Sequence, residues 1–183
     1  MKRLLLLALC ACGAAQTATE AAPLHVHDYF PMEEGGVWSY DIDTGFGPPV
    51  FGVLRVEAID GERMDIRNNG GELSRFERRP EGIFDLIQGV WYLRAPLEIG
   101  TEWAGAGGRT VRIVAVGEQV EVPAGTFDGC VVTEGTGGED GRTIRTSYCP
   151  SVGMTLQEAS MEMRMSGERA AVTSRLRGYL PGG

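Results

Sequence analysis

From residue 37 onward, apolar and polar positions alternate in short runs, and the runs end at Gly, Pro, Asn or Asp about every 8 to 12 residues. Val37 to Asp43 sets Trp38, Tyr40 and Ile42 against polar neighbours. Val50 to Ile59 leads through Asp60-Gly61, a strong two-residue hairpin signal, into Glu62 to Arg67, so these two runs are expected to pair. After a turn at Asn68 to Gly71 come Leu73 to Arg79, Ile83 to Ile87 and Val90 to Arg94. Later runs are Thr110 to Val116, Gln119 to Val122, Cys130 to Thr136, Arg142 to Cys149, Met154 to Met165 and Ala170 to Leu180. No window of roughly 11 or more residues carries a helical period. Roughly ten to twelve antiparallel strands in one domain predict an all-β fold, a strongly curved sheet or partly closed barrel, with a β-sandwich as the alternative, because large open sheets curl or split.

One device occurs twice in this pattern. Pro31-Met32-Glu33-Glu34-Gly35 with Trp38 is echoed by Pro96-Leu97-Glu98-Ile99-Gly100 with Trp103. Proline fixes φ, glycine supplies a positive φ, and the Trp lands in the following strand with a large apolar area to bury. The sequences after the two Trp residues diverge, which favours a reused turn-and-anchor over duplication of a half-domain.

The first 36 residues follow other rules. Lys2 and Arg3 precede an apolar run from Leu4 to Leu9 that Gly13 soon interrupts. A membrane-spanning helix needs about 20 apolar residues, so the run is too short to span and reads as an export signal. Leu9, Cys10, Ala11 and Cys12 resemble the lipobox of bacterial lipoproteins, with Cys12 the expected acylated residue because a small residue precedes it. Cys10, preceded by the bulky Leu9, is the poorer acceptor; ordinary cleavage after Ala14 or Ala15 is the rival reading. Acyl chains each bury many methylenes at roughly 0.8 kcal/mol apiece, enough to hold a soluble domain on a membrane. The expected division is a signal at 1–11, a lipidated flexible tether at 12–27 with a reach on the order of 20 Å, and an all-β domain at 28–183. Gly13 stands where an aspartate would favour inner-membrane retention, so the outer membrane is the expected location.

Removing the signal removes the only lysine, and the remainder carries 15 arginines against 25 acidic residues, a net charge of −10. That balance argues against nucleic acid and against peripheral adhesion to anionic lipid, both of which need clustered Lys or Arg.

Beyond the leader only Cys130 and Cys149 remain, in a chain bound for an oxidising compartment, so they are expected to bridge. A hairpin centred between Glu139 and Asp140 places Cys130 opposite Cys149, Glu134 opposite Arg145 and Val131 opposite Tyr148. One register thus satisfies three cross-strand pairings.

Other chemistry is sparse. His25 and His27 alternate on what reads as an extended segment, incomplete as a zinc site, which wants about three or four ligands. Asp41, Asp43 and Gly45 open like a calcium loop but lack its closing glutamate, and read as a strand end and turn. Met161, Met163 and Met165 put three thioethers on one strand face. Soft sulfur suits Cu(I), but a half-buried strand gives the same alternation, so core packing or an apolar-ligand face is the reading adopted. G-x-S-x-G is absent, and the glycines at 105–108 and 135–141 read as hairpin loops without the lysine of a phosphate loop. No catalytic residue, cofactor or metal is therefore expected.

Three blocks together resemble the TapB-like family of exported bacterial β-domains: Tyr29-Phe30-Pro31-Met32 with Gly35 and Trp38; Val122-Pro123-Ala124-Gly125-Thr126-Phe127 running into Cys130; and Tyr148-Cys149-Pro150-Ser151-Val152-Gly153. Ser151 stands where the family leads one to expect glycine, and Cys149 where a small residue is usual. The resemblance implies an all-β envelope domain and transfers no catalytic residue. The leading expectation is a non-catalytic envelope lipoprotein, held to the membrane by its acyl anchor, whose acidic β-domain meets an envelope protein partner. The alternative is a carrier of lipid or another apolar ligand inside a barrel-like cavity.

Overall fold

The computed structural model describes residues 25–162 and 169–183. The signal, Cys10, Cys12, most of the tether, Met163 and Met165 lie outside the described residues. Twelve strands follow in order: β1 (Val37–Asp43), β2 (Val50–Asp60), β3 (Arg63–Asn68), β4 (Leu73–Arg79), β5 (Gly82–Asp85), β6 (Val90–Arg94), β7 (Glu102–Ala104), β8 (Thr110–Val122), β9 (Gly125–Thr136), β10 (Arg142–Cys149), β11 (Gly153–Glu162) and β12 (Arg169–Leu180). They form one antiparallel sheet, ordered β6-β5-β4-β3-β2-β1-β12-β11-β10-β9-β8-β7. Because β12 returns to pair with β1, the meander curls into a nearly closed barrel with a seam between β6 and β7. The sandwich alternative is thereby excluded: there is one sheet curled on itself, not two sheets packed face to face.

The alternation in the sequence explains which side chains fill the barrel. On β1, Trp38 and Tyr40 are buried while Ser39 and Asp41 are not. Met64, Ile66, Phe76, Ile83 and Leu176 join them in one cluster, and Leu93, Trp103, Ile113, Val131 and Tyr148 form a second. The Asp60-Gly61 turn joins β2 to β3, pairing Asp60 with Arg63. In the β9–β10 hairpin, Glu134 pairs with Arg145 and Val131 with Tyr148, the register expected from the sequence. Cys130 and Cys149 close that hairpin in a disulfide.

Four expectations need correction. Thr110 to Val116 and Gln119 to Val122 are one strand, since Gly117, at φ 81°, lets a bulge carry the ladder past the apparent break. The strand holding Cys130 starts earlier, at Gly125, directly after the Pro123-Ala124 turn. β7, at three residues, is too short to show a period. The packed body also includes residues 25–27, placed in the tether by composition: Val26 is buried, and residues 26–29 form a 3-10 turn instead of an extended segment. Val26 and Tyr29, three apart, share the turn's inner face, and the Asp28 carboxylate accepts from the His25 backbone N–H at 2.6 Å.

This N-terminal segment lies across one end of the barrel. The His27 ring bonds the Arg79 carbonyl at 2.8 Å at the end of β4, and the Asp28 carbonyl accepts from the Ser151 N–H at 2.8 Å in the β10–β11 turn. Phe30 sits edge-on to Phe76 at 5.2 Å and to Tyr92 at 5.5 Å inside the lumen. The two echoed tryptophans act alike but in different places. Trp38 donates its indole N–H to the Val152 carbonyl at 2.8 Å, and Trp103 donates to the Trp91 carbonyl at 3.0 Å, fastening the seam. Gly35 and Gly100 both hold the expected positive φ. Each copy opens one half of the meander, strands β1 to β6 and β7 to β12.

Candidate functional site

The end opposite the plug is where the seam leaves room. Beyond Ala104 the chain leaves β7 for a turn at residues 106–108, so the upper part of β6 faces no strand on that side. A pocket of about 200 Å³ opens there into the lumen. Its walls are the inward positions of the neighbouring strands: Val90 and Tyr92 on β6, Val111 on β8, Thr133 and Gly135 on β9, Ile144, Thr146 and Tyr148 on β10, and Gln157 on β11. Asp85, at the end of β5, completes the rim with Gln88 and Arg109.

The polar groups are tied down unequally. Asp85 is only 5% exposed. One of its oxygens accepts from the backbone N–H of Ile87 at 2.9 Å and of Gln88 at 3.0 Å; the other accepts from the exposed Gln88 side-chain amide at 3.2 Å. Arg109 donates to the Ala106 carbonyl at 2.9 Å and pairs with Asp140, while its buried Nε finds no partner. Thr133 donates to the Thr146 carbonyl at 3.5 Å, and the Gln157 amide to the Thr146 hydroxyl at 3.4 Å. Burial raises the Tyr92 hydroxyl above the ordinary tyrosine value, a hydrogen bond with Tyr148 opposes this, and the Asp85 charge acts in the same direction as burial. Burial likewise raises Tyr148 and Tyr40. Such a lining can hold a small guest by hydrogen bonds and apolar contact.

The residues singled out from sequence are dispersed. Asp41 pairs with Arg177 at 2.8 Å, and Asp43 accepts from the Gly45 N–H at 2.8 Å, a strand end and turn. His27 is engaged by Arg79 while His25 stays exposed, so the two do not converge. Met161 lines a shallow pocket of about 140 Å³ with Arg142, Ala159, Ser160, Ala170 and Val172, apart from the lumen pocket. Sequence reasoning missed Asp85, Arg109, Thr133, Thr146 and Gln157. Polar types at positions that alternate with outward residues were the available signal, but the inward face of each strand was not assigned.

No protein-family model matches the chain, so the likeness to TapB-like proteins stands on its three blocks. No curated protein matches it significantly. Among solved structures, the chain is similar to an inferred exported protein with YmcC-like fold from Bacteroides fragilis, at 15% identity and a TM-score of 0.51, covering 82% of this chain and 97% of that one. It is also similar to an inferred lipoprotein from Parabacteroides distasonis, at 14% identity and a TM-score of 0.46, covering 83% of this chain and 98% of that one. At such identity the first likeness shows a shared fold.

Proposed function

We propose that the chain is an exported, non-catalytic envelope lipoprotein whose barrel engages an envelope protein partner, anchored in the outer membrane through an acylated Cys12. The observation that carries this reading is the barrel's polarity. The tether joins at the end that residues 25–32 close, and the opposite end presents Phe46, Val50 and Phe51 at 78%, 54% and 52% exposure around the β1–β2 turn. Apolar groups so displayed are more useful as contact surface than as packing. The leader and the TapB-like blocks support export, and the shared fold with an inferred exported protein agrees with it.

The alternative of an acyl-chain carrier fits less well. Ligand pockets for drug-sized molecules usually run to about 300 Å³ or more, and this lumen pocket is smaller and partly polar. The test is a photo-crosslinking amino acid at Phe46, compared with the same probe at Glu62 near the closed end, in cells of a lipoprotein-competent host. A discrete protein adduct from Phe46 alone, on a chain whose intact mass shows acyl groups at Cys12, is expected. Adducts that do not distinguish the two ends, or a chain retained unprocessed in the cytosol, overturn the proposal.

A further inference from the structure

We infer that the lumen pocket beside the seam binds a small organic cation, a primary or substituted ammonium whose charge is set against Asp85. This extends the interaction reading above by giving the open end a ligand of its own.

The lumen wall carries two charged side chains, Asp85 and Arg109. Arg109 pairs with Asp140 on the rim, which it shares with Arg142 at 3.5 Å, and its Nε is left without a partner. Among the described residues Asp85 forms no ion pair: its partners are two backbone N–H groups and a side-chain amide, all neutral. The nearby arginines are engaged elsewhere. Arg79 lies 3.8 Å over the Phe84 ring and pairs with Glu77, and Arg94 lies 5.5 Å from the Trp91 ring. Phe84 alternates with Asp85 along β5, so the Arg79 cluster sits on the other face of the sheet.

A buried carboxylate needs compensation, which three neutral N–H donors supply here without a countercharge. Asp85 therefore favours a guest that brings positive charge, and the unpartnered Nε–H of Arg109 favours one that also carries an oxygen acceptor, as an amino alcohol does. Size narrows the class further: about 200 Å³ falls below the roughly 300 Å³ at which pockets for drug-sized ligands begin, so the guest is a small molecule. Tyr92, Tyr148, Val90, Val111 and Ile144 give such a molecule an apolar bed, and the hydroxyl of Thr146 and the amide of Gln157 offer polar contacts near it. Ammonium beside carboxylate and tyrosine is a recognised pairing, strengthened by desolvation.

The test uses the full chain, isotopically labelled, with ethanolamine as probe and propan-1-ol as its neutral counterpart. Ethanolamine is expected to shift the backbone amides of Gln88, Thr133 and Thr146 saturably, at least tenfold more tightly than propan-1-ol. Asp85→Asn keeps an oxygen to accept from Ile87 and Gln88 but removes the charge, and should weaken ethanolamine at least tenfold with a folded spectrum. Should that variant unfold, Gly135→Val decides. A Cβ at Gly135 meets Arg109 and Val111 side chains at an ordinary 3.5 Å, so the new methyls narrow the pocket, and binding should fall with Asp85 intact. Glycerophosphoethanolamine and Nα-acetyl-lysine methylamide separate a lipid headgroup from a peptide amine as the source, and binding of either supports the site. Equal shifts from propan-1-ol, or unchanged ethanolamine affinity in a folded Asp85→Asn chain, overturn it. If ethanolamine fails while the Phe46 adduct persists, the cation site alone falls; loss of the adduct with retained ethanolamine binding fells only the partner reading.

Discussion

Ser151 has a left-handed backbone, at φ 61°, and among the described residues it is the one non-glycine with positive φ. It is also the position where the family blocks led one to expect glycine, so the sequence already marked the point of strain. Its N–H is committed to the Asp28 carbonyl, which holds the N-terminal plug and fixes the turn between β10 and β11. A Cβ in this conformation costs roughly 1 to 2 kcal/mol, partly offset by the entropy glycine loses on folding. Ser151→Gly is therefore expected to stabilise the fold by about 1 kcal/mol, raising the thermal midpoint by about 2 to 4 °C in a chain of this size. A lowered midpoint would show that the serine hydroxyl matters more than its backbone. Asp85 is the opposite case: an ordinary aspartate in sequence, significant only because β5 turns it inward at the seam.

At the scale of elements, hairpins were legible and the seam was not. The β9–β10 register followed from local pairing rules, because a tight connection leaves few ways to match Glu134 with Arg145 and one cysteine with the other. The gap between β6 and β7 depends on how far twelve twisted strands curl before their edges meet, which no local window contains. Trp103 is the fastener there. Trp103→Phe removes the indole N–H and leaves the Trp91 carbonyl to find water, an expected loss of about 1 to 2 kcal/mol in denaturant unfolding. Amide hydrogen exchange should quicken in β6 and β7 while the β1–β12 pair stays protected. Uniform acceleration around the barrel would mean that the seam is no weaker than the other pairings.

For the whole molecule, the lumen decides behaviour at high pH. Tyr40, Tyr92 and Tyr148 share the interior, and burial raises all three above the ordinary tyrosine value near 10. A raised folded-state pKa means the folded chain keeps protons that the unfolded chain sheds. Their contribution is thus complete below about pH 10 and declines as pH rises toward the folded-state values. Alkaline titration followed by tyrosinate absorbance should show these hydroxyls ionising together with loss of the fold. Their independent ionisation in a folded chain would place them in contact with water. On the acid side the exposed pairs act in the other sense: the Arg75 hydrogen bond holds Asp65 below the usual carboxylate range, a contribution present at neutral pH and lost as that carboxyl protonates.

The sequence by itself determined the all-β class, most strand positions, the disulfide-closed hairpin and the reuse of the Pro-Glu-Gly-Trp device, since each rests on alternation, turn chemistry or short-range pairing. Tertiary structure decided that one sheet closes on itself instead of splitting, that residues 25–32 plug one end, and that Asp85, Thr146 and Gln157 face a common space. Those outcomes depend on curvature and on contacts between residues distant in the chain, which burial of a shared interior enforces only when all twelve strands are in place.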